Sequence, residues 1–447
     1  MHPDIDAQRA IANLQALIRI PTISRLDESE TDWAPFSAFR DELAQRYPAI
    51  HAALDLELVD EHSMLFRWKG LESTEPSVLM AHYDVVAATD EGWEHPPFSA
   101  ELTGSGDEQL LWGRGTLDDK GSLVSILEAV ETHVSAGFLP AHDVYLSFGH
   151  DEETAGTGAP SIVDLLESRG IRPALVLDEG GAVVEGIFPG VTSPIAVVGV
   201  SEKGILSLRL TVEQHGGHAS APPRNAATVR LARALVRLDR APFRKSFVAT
   251  NLEMIRTLGA HAKQPLKWIF TNLWLTRMPL LTLFARLGNE TNAMVRTTQV
   301  VTQLSGAQAA NAIPEKAEAI VNIRVAIDSS VGEAVEHVRR AIRDDAITIE
   351  ALHPSEPSPV SPTTGAAWEL VKGTIEQTFP GTIVTPYVML GASDSRHFTR
   401  ISDLVYRFSP FEMSTEERGT LHAKNERMRV ATFLRGVAFY TRLVGQL

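Results

Sequence analysis

The chain has 447 residues, of which 44% are hydrophobic and 22% charged, a composition typical of a globular protein with two or three domains. Its formal net charge of −15 argues against a nucleic-acid partner, because binding phosphates needs a basic surface. It contains no cysteine, so disulfides and thiolate metal sites are excluded, and any metal would have to be bound by His, Asp or Glu.

The first twenty residues predict an amphipathic helix. Ile11, Leu14, Leu17 and Ile18 follow helical spacing, and the stretch lacks the basic leader, continuous apolar core and cleavage site of a signal peptide. The longest candidate for a membrane span, residues 268–287, is interrupted by polar residues and a proline. We therefore expect no transmembrane segment and a cytoplasmic location.

Between about residues 54 and 199, short apolar runs alternate with amphipathic segments. The predicted strands are Met64–Trp68, Val78–Ala81, Val144–Gly149 and Ala174–Leu177, and the predicted helices are Lys120–Ser135 and Ala159–Ser168. This alternation predicts the α/β class, with a mixed, mainly parallel sheet that carries helices on both faces.

Near Val200 the pattern changes to strands that alternate apolar and polar residues, as half-exposed strands do. The predicted strands are Lys203–Glu213, Val300–Gln303, Ala317–Ile327 and Ala346–Glu350, and the predicted helices are Ala226–Leu238 and Glu333–Asp344. A Pro- and Ser-rich stretch, 353–362, precedes helices at Ala366–Thr378 and Arg429–Leu443. We expect an inserted α+β lid or dimerisation domain at 203–328, between two parts of a catalytic domain at 1–202 and 329–447.

Clusters of ionisable residues follow the predicted strands or lie on glycine-rich loops. They occupy residues 82–84, 113–121, 150–153, 177–181 and 422–426. In parallel sheets ligands bind beyond the carboxyl ends of the strands, so the first four clusters are expected to meet at one edge. Each cluster alone has an ordinary explanation as a solvated turn or a helix cap. A protein without a shared site would need all of these explanations to hold at once, so we favour a shared site.

Two of these clusters suggest specific roles. In a strand, residues two apart point to the same face, so Asp84 is placed to hydrogen-bond the imidazole of His82 and fix its tautomer if that ring binds metal. In 150–153, one glutamate would act as a general base for hydrolysis while its neighbour binds metal. Either Asp118 or Asp119 would begin the helix that follows, or would bridge two metal ions.

The sequence resembles the M20 metallopeptidase family over nearly its whole length. The motifs that carry the resemblance, in the family's order, read HYDVV, GRGTLDDKG, HDEETAGTGA, LDEGG, GGHAS, NAIP, NIR and GASDSR. Their sequences are most similar to those of the branch that contains the Gly-X carboxypeptidases and the N-fatty-acyl-amino-acid synthase/hydrolases. The resemblance implies a zinc-peptidase catalytic domain with an inserted lid.

The resemblance also implies two zinc ions in each active site. His82 and Glu179 would bind one ion together with a bridging Asp118, and Glu153 and His422 would bind the other. Asp118 is favoured over its neighbour because the family's bridging aspartate lies two residues before the lysine of the DxKG motif. The choice of Glu179 over the preceding aspartate follows its alignment with the glutamate of relatives that carry GEP there.

The remaining site residues are also implied by the resemblance. Asp84 would orient a metal ligand, Glu152 would be the general base, and His218 would stabilise the oxyanion, from the neighbouring subunit in dimeric relatives. Binding a substrate carboxylate calls for a bidentate cation, for which Arg396 is the best match. Arg324 and Asn311 are further candidates for substrate binding.

We therefore expect a di-zinc metallohydrolase that cleaves an amide bond next to a free carboxylate, as a carboxypeptidase acting on short peptides does. The alternative is an N-acyl-amino-acid deacylase. A non-catalytic binding protein on this scaffold would lack the base or a ligand, whereas every matching position is filled. We also expect a homodimer. The apolar segment 258–292 has two interpretations: a buried addition to the lid or a dimer face, or a wall for a long acyl group or bulky side chain.

Overall fold

The structure, a computed structural model, describes residues 5–307 and 309–447. Its helices are α1 Ala7–Ile18, α2 Ala34–Arg46, α3 Pro48–Ala53, α4 Lys120–Ser135, α5 Gly158–Ser168, α6 Ala227–Asp239, α7 Ala249–His261, α8 Leu266–Thr271, α9 Leu273–Leu287, α10 Asn289–Met294, α11 Val331–Ile342, α12 Ala366–Thr378, α13 Ser395–Phe398, α14 Thr415–Arg418 and α15 Val430–Val444. Short 3₁₀ turns lie at Glu28–Glu30, Gly106–Glu108 and Glu152–Thr154.

The strands of the described residues fall into two larger and two smaller sheets. They are β1 Asp55–Val59, β2 Ser63–Trp68, β3 Glu72–His82, β4 Leu102–Thr103, β5 Leu110–Trp112, β6 His142–Gly149, β7 Leu175–Asp178, β8 Ala182–Val184, β9 Ile195–Glu202, β10 Gly204–Glu213, β11 Gly217–His218, β12 Thr298–Ser305, β13 Ala312–Ile313, β14 Lys316–Val325, β15 Thr348–Ser355, β16 Ile383–Met389, β17 Val405–Arg407 and β18 Arg427–Arg429. The predicted helix Lys120–Ser135 has its predicted bounds, whereas the predicted strand Val78–Ala81 extends to the eleven residues of β3.

The largest sheet has the strand order β1-β2-β6-β3-β7-β17-β9-β16, and β8 pairs with β9 outside this path. Its central strands β6, β3, β7 and β17 pair in parallel, while β1 and β2 at one edge are antiparallel. Parallel strands need helical crossovers, and the chain supplies them with α4 and α5. The prediction of a mixed, mainly parallel sheet is confirmed.

Helices cover both faces of this sheet, as the alternation of side chains along β3 demonstrates. Leu79 and Ala81 are buried in a core that α1, α2, α4 and α15 share, whereas Val78 and Met80 are buried in a second core formed with α5 and α13. A strand buried on both faces reads as a continuous apolar run, which is why the sequence before His82 lacks polar residues.

The second large sheet is antiparallel, with the order β12-β14-β10-β15. The helices α6 and α11 share its core, in which Leu208, Val321, Leu231 and Val338 are buried. Since β15 pairs with β10 and α11 packs on the same core, the predicted boundary at residue 328 would divide this sheet. We therefore propose that this α+β domain continues to Ser355, where β15 ends.

The helices α7 to α10 pack against the largest sheet. Met254, Leu258 and Phe284 lie in one core with Val184 of β8 and Ile195 of β9. This apolar segment is thus attached to the large sheet, which the interpretation as an addition to the lid did not foresee. Its apolar run is divided between α8 and α9, and no helix in the described residues is both long and apolar enough to cross a bilayer.

Candidate active site

The candidate site lies at the carboxyl ends of three neighbouring strands. In the sheet order, β3 lies between β6 and β7, and these strands end at His82, Gly149 and Asp178. His82 is paired in register with Gly149, so the residues that follow β6 start beside the imidazole. Parallel pairing thus brings together side chains that are far apart in the sequence.

Two groups of metal-type side chains overlap at this edge. His82, Asp118 and Glu179 form one group, Asp118, Glu153 and His422 form the other, and the ligand atoms of each lie within 4.8 Å of one another. Asp118 belongs to both groups: its Oδ1 lies 3.0 Å from Nε2 of His82 and its Oδ2 lies 2.9 Å from Nε2 of His422. The Nε2 of His422 also lies 3.0 Å from Oε2 of Glu153. The five predicted ligands therefore converge.

The electrostatics of the cluster favour a bound cation. Burial alone would raise the pKa of Asp118, but hydrogen bonds with His422 and His82 outweigh it and lower that pKa. Hydrogen bonds with Asp118 and then Glu153 raise the pKa of His422 to about 10. Burial, and then the charge of Asp118, raises the pKa of Glu179, while Oε1 of Glu153 is buried without a hydrogen-bond partner. Imidazole and carboxylate donors in this number fit a divalent metal ion.

At two positions the sequence left open which of two adjacent carboxylates belongs to the site, and the structure distinguishes between them. Glu179 is in the cluster, whereas the buried Asp178 turns away and its Oδ2 accepts a hydrogen bond of 2.9 Å from the backbone N–H of Ser395. Asp118 is in the cluster, whereas both carboxylate oxygens of Asp119 are buried without a hydrogen-bond partner. These contacts favour Asp118 and Glu179, in agreement with the family pattern.

Asp84 holds two parts of the site together. Its Oδ1 lies 3.2 Å from Nδ1 of His82, on the side of the ring opposite Asp118. Its two oxygens also accept hydrogen bonds from the backbone N–H groups of Glu152 and Glu153, each at 3.2 Å. Nδ1 of His82 also lies 3.1 Å from the backbone carbonyl oxygen of Asp84, so the carboxylate and the backbone carbonyl of this residue both face the nitrogen whose proton defines the tautomer. Asp84 also positions the turn after β6, which spacing does not predict.

Glu152 lies in this turn next to the cluster and is partly buried. Burial is the main cause that raises its pKa well above the usual value. The negative charges of Asp394, Asp118 and Glu153 raise that pKa further, and the nearby His82 opposes them. A carboxyl group that binds its proton more tightly than usual is suited to general acid–base chemistry near neutral pH.

Glu426 is a functional residue that sequence reasoning missed. Its fully buried carboxylate accepts backbone hydrogen bonds from Gly115 at 3.0 Å, Leu117 at 2.8 Å and Asp118 at 3.3 Å, and it pairs with Arg114 at 2.5 Å. One side chain therefore holds the glycine-rich loop that carries Asp118. Glu426 ends the ionisable cluster 422–426, and its position four residues after the candidate ligand His422 is the signal in the sequence that could have found it.

A second buried network positions Arg396. Glu202, which pairs with Arg407, accepts hydrogen bonds from the backbone N–H of Ser393 at 3.1 Å and from its hydroxyl at 3.0 Å. Together with the contact from Asp178 to Ser395, this fixes the start of α13, where Arg396 lies. The serines of the GASDSR motif thus hold the backbone at the start of α13 in place, a role that the motif alone does not reveal.

Arg396 and Arg324 lie close together, although Arg396 is on α13 and Arg324 is on β14 of the antiparallel sheet. Burial, and then the charge of Arg396, lowers the pKa of Arg324. Nε of Arg396 is buried without a hydrogen-bond partner, and in the described part of the chain neither guanidinium is paired with a carboxylate. Two adjacent unpaired guanidinium groups suit a ligand carboxylate.

The structure does not bring His218 and Asn311 to the cluster. His218 is exposed on the short strand β11, which pairs with β13, and the backbone carbonyl of Asn311 accepts a hydrogen bond of 3.0 Å from Ala219. The two predicted residues are therefore neighbours of each other. Across residues 5–307 and 309–447, neither forms a hydrogen bond or ion pair with the five clustered side chains.

Comparisons with known proteins show what the chain is similar to. Residues 78–446 match the Peptidase family M20/M25/M40. The chain is 35% identical to a probable carboxypeptidase S-like 2 of Dictyostelium discoideum, covering 99% of this chain and 87% of the relative. It is likewise 35% identical to the human N-fatty-acyl-amino acid synthase/hydrolase, covering 96% and 86%. An M20 family metallo-carboxypeptidase from Sulfolobus solfataricus shares the fold, with a TM-score of 0.70 and 16% identity over 98% of each chain.

We predict that Glu426→Gln weakens metal binding although Glu426 is not one of the five clustered side chains. The amide of glutamine would point a donor either at Arg114 or at the backbone N–H groups of the loop, so the loop that carries Asp118 would lose its anchor. Changes to residues that orient metal ligands lower metal affinity about 10–100-fold. Competition between the protein and a chromophoric chelator for zinc measures this affinity.

Lys424→Gln is the matched control, because Lys424 is exposed two residues away. It should leave the zinc affinity unchanged. Equal affinities for Glu426→Gln and the unsubstituted chain would contradict the anchoring role.

Proposed function

The chain belongs to peptidase family M20/M25/M40, and from this premise we propose that it uses two zinc ions to hydrolyse the amide bond next to a free carboxylate. It is an amide-hydrolysing enzyme of the carboxypeptidase and aminoacylase type. The observation that carries the proposal is the pair of overlapping ligand groups that share Asp118 beside Glu152.

The proposed metal ligands are the five clustered side chains. His82 and Glu179 would hold one zinc ion, Glu153 and His422 the other, and Asp118 would contact both, since each of its oxygens faces a different histidine. When bound, zinc in such a site polarises a substrate carbonyl and makes water more acidic. The absence of cysteine and the nitrogen and oxygen donor set support this assignment.

Glu152 is the proposed general base. Its carboxylate would take a proton from the attacking water and then give it to the leaving nitrogen, so a single residue serves both halves of the reaction. Burial raises its pKa, which supports a group that both accepts and donates a proton during the reaction. Asp84 would keep the turn that carries Glu152 in place through its backbone hydrogen bonds.

The substrate carboxylate is the proposed ligand of Arg396, with Arg324 beside it. The unpaired buried Nε of Arg396 supports this role, as does the absence of an acidic partner within salt-bridge distance in the described residues. Because Arg324 comes from β14 of the α+β domain, a carboxylate held by both arginines would connect the two domains. Asn311 stays a predicted substrate contact.

The substrate proposed first is a short peptide that loses its C-terminal residue, as the names of the carboxypeptidase S relatives suggest. The second candidate is an N-acyl amino acid, as the name of the human relative suggests. One observation favours the second candidate: an apolar cavity is lined by Gly180 and Leu421, the sequence neighbours of Glu179 and His422. The expected substrates are thus small molecules or short peptides, and the expectation of a cytoplasmic location stays a prediction.

We further propose that the enzyme is a homodimer in which His218 reaches the partner's cluster. His218 lies exposed and away from the cluster of its own chain, which supports this arrangement. Exposed apolar side chains occur on the same domain, at Val229 and Val236 of α6 and at Val300 and Leu304 of the edge strand β12. Contiguous exposed apolar residues on an edge strand and its neighbouring helix are typical of a subunit interface.

We predict opposite effects of removing the charge at Glu152 and at Glu153. Glu152→Gln should lower kcat about 10²- to 10⁴-fold while two equivalents of zinc remain bound, because general-base catalysis contributes that much. Glu153→Gln should lower the zinc content itself. Turnover and elemental analysis of the same preparations separate the effects, and loss of zinc in Glu152→Gln would mean that the two roles are exchanged.

We predict that Arg396→Gln removes the preference for a free carboxylate. Paired substrates that end in a carboxylate or in a carboxamide measure this preference as a ratio of kcat/KM. The carboxylate substrate should lose about 10–100-fold, since hydrogen bonds to charged groups contribute about 1.5–3 kcal/mol. The carboxamide substrate should change little.

Arg400→Gln is the control for this experiment. Arg400 is exposed four residues further on and pairs at the surface with Asp164 at 2.7 Å and with Glu167. If Arg396→Gln lowered kcat/KM equally for both substrates, the substitution would affect folding rather than carboxylate recognition.

We predict that His218→Ala and Glu152→Gln subunits complement each other. Each homodimer should be inactive, but a mixed dimer has one cluster with an intact Glu152 and an intact His218 from its partner. Random mixing should restore about a quarter of the full activity, because half of the dimers are mixed and each has one complete site. No recovery from a mixture that is dimeric by solution mass would exclude a contribution of His218 across subunits.

A further inference from the structure

The helix α9 carries apolar side chains on both of its faces. On one face, Leu273, Leu280 and Phe284 are buried in the core shared with the largest sheet. On the other face, Trp274 and Met278 are 84% and 65% exposed, and because they are four residues apart they are neighbours on the helix surface. A helix that is apolar all round is normally buried on every side. In the described part of the chain, no other element covers the outer face of α9.

The exposed apolar surface extends from α8 to the end of α9. We call it the α8–α9 patch, and its members, all at least half exposed, are Trp268, Trp274, Leu275, Met278, Leu283 and Leu287. The other five tryptophans of the chain are buried or half-buried, so both exposed tryptophans lie in this patch. Tryptophan is enriched where an apolar phase meets water, because its ring is apolar and its N–H needs a hydrogen-bond partner. The patch therefore suits such a boundary.

The segment that carries the patch is basic, although the chain as a whole is acidic. Residues 254–289 contain no Asp or Glu, whereas the net charge of the chain is −15. Glu290, the first acidic residue after this segment, pairs with Arg418 at 3.6 Å. The basic residues of the segment are all exposed, and none forms an ion pair with a described carboxylate: Arg256, Lys263, Lys267, Arg277 and Arg286. Their charge is thus available to an anionic partner.

Charge distinguishes between the two partners that such an apolar face allows. In a symmetric dimer the same face of both copies would meet, so the cations of one copy would face the cations of the other. An anionic lipid surface instead attracts them, and each Lys or Arg near it raises the affinity about fivefold. The acidic remainder of the chain opposes this attraction only weakly, because charges more than about 8 Å away are screened at physiological ionic strength.

From these observations we propose that the α8–α9 patch docks the enzyme on the surface of an anionic phospholipid bilayer. The apolar side chains enter the boundary between headgroups and acyl chains, while the lysines and arginines contact the anionic headgroups. The docking is peripheral, since no helix of the described residues is long and apolar enough to cross a bilayer. It uses neither α6 nor β12, the elements proposed for the subunit interface.

Sedimentation of the full chain with vesicles tests this proposal without turnover. The chain should bind vesicles of phosphatidylcholine with added phosphatidylserine, and added salt or pure phosphatidylcholine should weaken this binding about tenfold or more. Trp274→Ala should weaken it about tenfold or more, because a large apolar side chain is lost from the boundary. Lys267→Gln should weaken it about fivefold.

Two matched controls remove the same kinds of side chain outside the patch. Leu71→Ala changes an apolar residue that is 73% exposed in the turn between β2 and β3. Lys372→Gln changes a lysine of α12 whose Nζ lies 3.9 Å from Glu369 and 3.8 Å from Glu376, so its charge is already offset. Both variants should bind the mixed vesicles as the unsubstituted chain does.

Phospholipids with brominated acyl chains locate the contact, because bromine quenches the fluorescence of a tryptophan that enters the bilayer. Quenching is expected in the unsubstituted chain and should disappear when Trp268→Phe and Trp274→Phe are combined. Absence of vesicle binding, or binding that both Trp274→Ala and Lys267→Gln leave intact, would overturn the proposal. Self-association that Trp274→Ala abolishes, in a chain that binds no vesicles, would also overturn it, because a second copy would then cover the patch.

Discussion

The carboxylate of Asp118 is the contact on which the rest of the site depends. Among the described residues it is the one side chain that belongs to both ligand groups, and each of its oxygens faces a different histidine. Placing Asp118, Glu153 and Glu179 so close together in a partly buried position is costly unless positive charge compensates them. The two histidines supply part of that compensation. Burial and then the charge of Asp118 raise the pKa of Glu179, so further positive charge would stabilise its ionised form.

Further buried carboxylates hold this arrangement by accepting backbone hydrogen bonds. Glu426 fixes the loop that carries Asp118, Asp84 fixes the turn after β6, and Glu202 with Asp178 fixes the segment before Arg396. A buried carboxylate that accepts several N–H groups is satisfied and at the same time defines the position of the backbone. The abundance of acidic residues in the motifs thus has two causes, of which metal binding is one and support of the loops is the other.

The two domains contribute different parts of the proposed reaction. The large sheet provides the cluster, Glu152 and Arg396, while the α+β domain provides Arg324 beside Arg396 and carries His218 elsewhere. The helices α7 to α10 pack on the large sheet, although in the sequence they lie between β11 and β12 of the other domain. The apolar cavity lined by these helices is therefore built on the part of the molecule that carries the cluster.

Much of the fold can be predicted from the sequence, because local periodicity and the residue types at strand ends do not depend on distant contacts. The apolar run before His82 predicts a strand buried on both faces. The resemblance to the M20 family implies the five clustered side chains. What the sequence left open were choices between neighbours, such as Asp118 against Asp119 and Asp178 against Glu179. Local pattern cannot decide between two adjacent carboxylates, since which one faces the cluster depends on the loop conformation that Glu426 and Ser395 impose. The roles of Glu426 and Glu202, the attachment of α7 to α10 to the large sheet, and the cavity beneath them likewise arise only from packing between segments that are far apart in the chain.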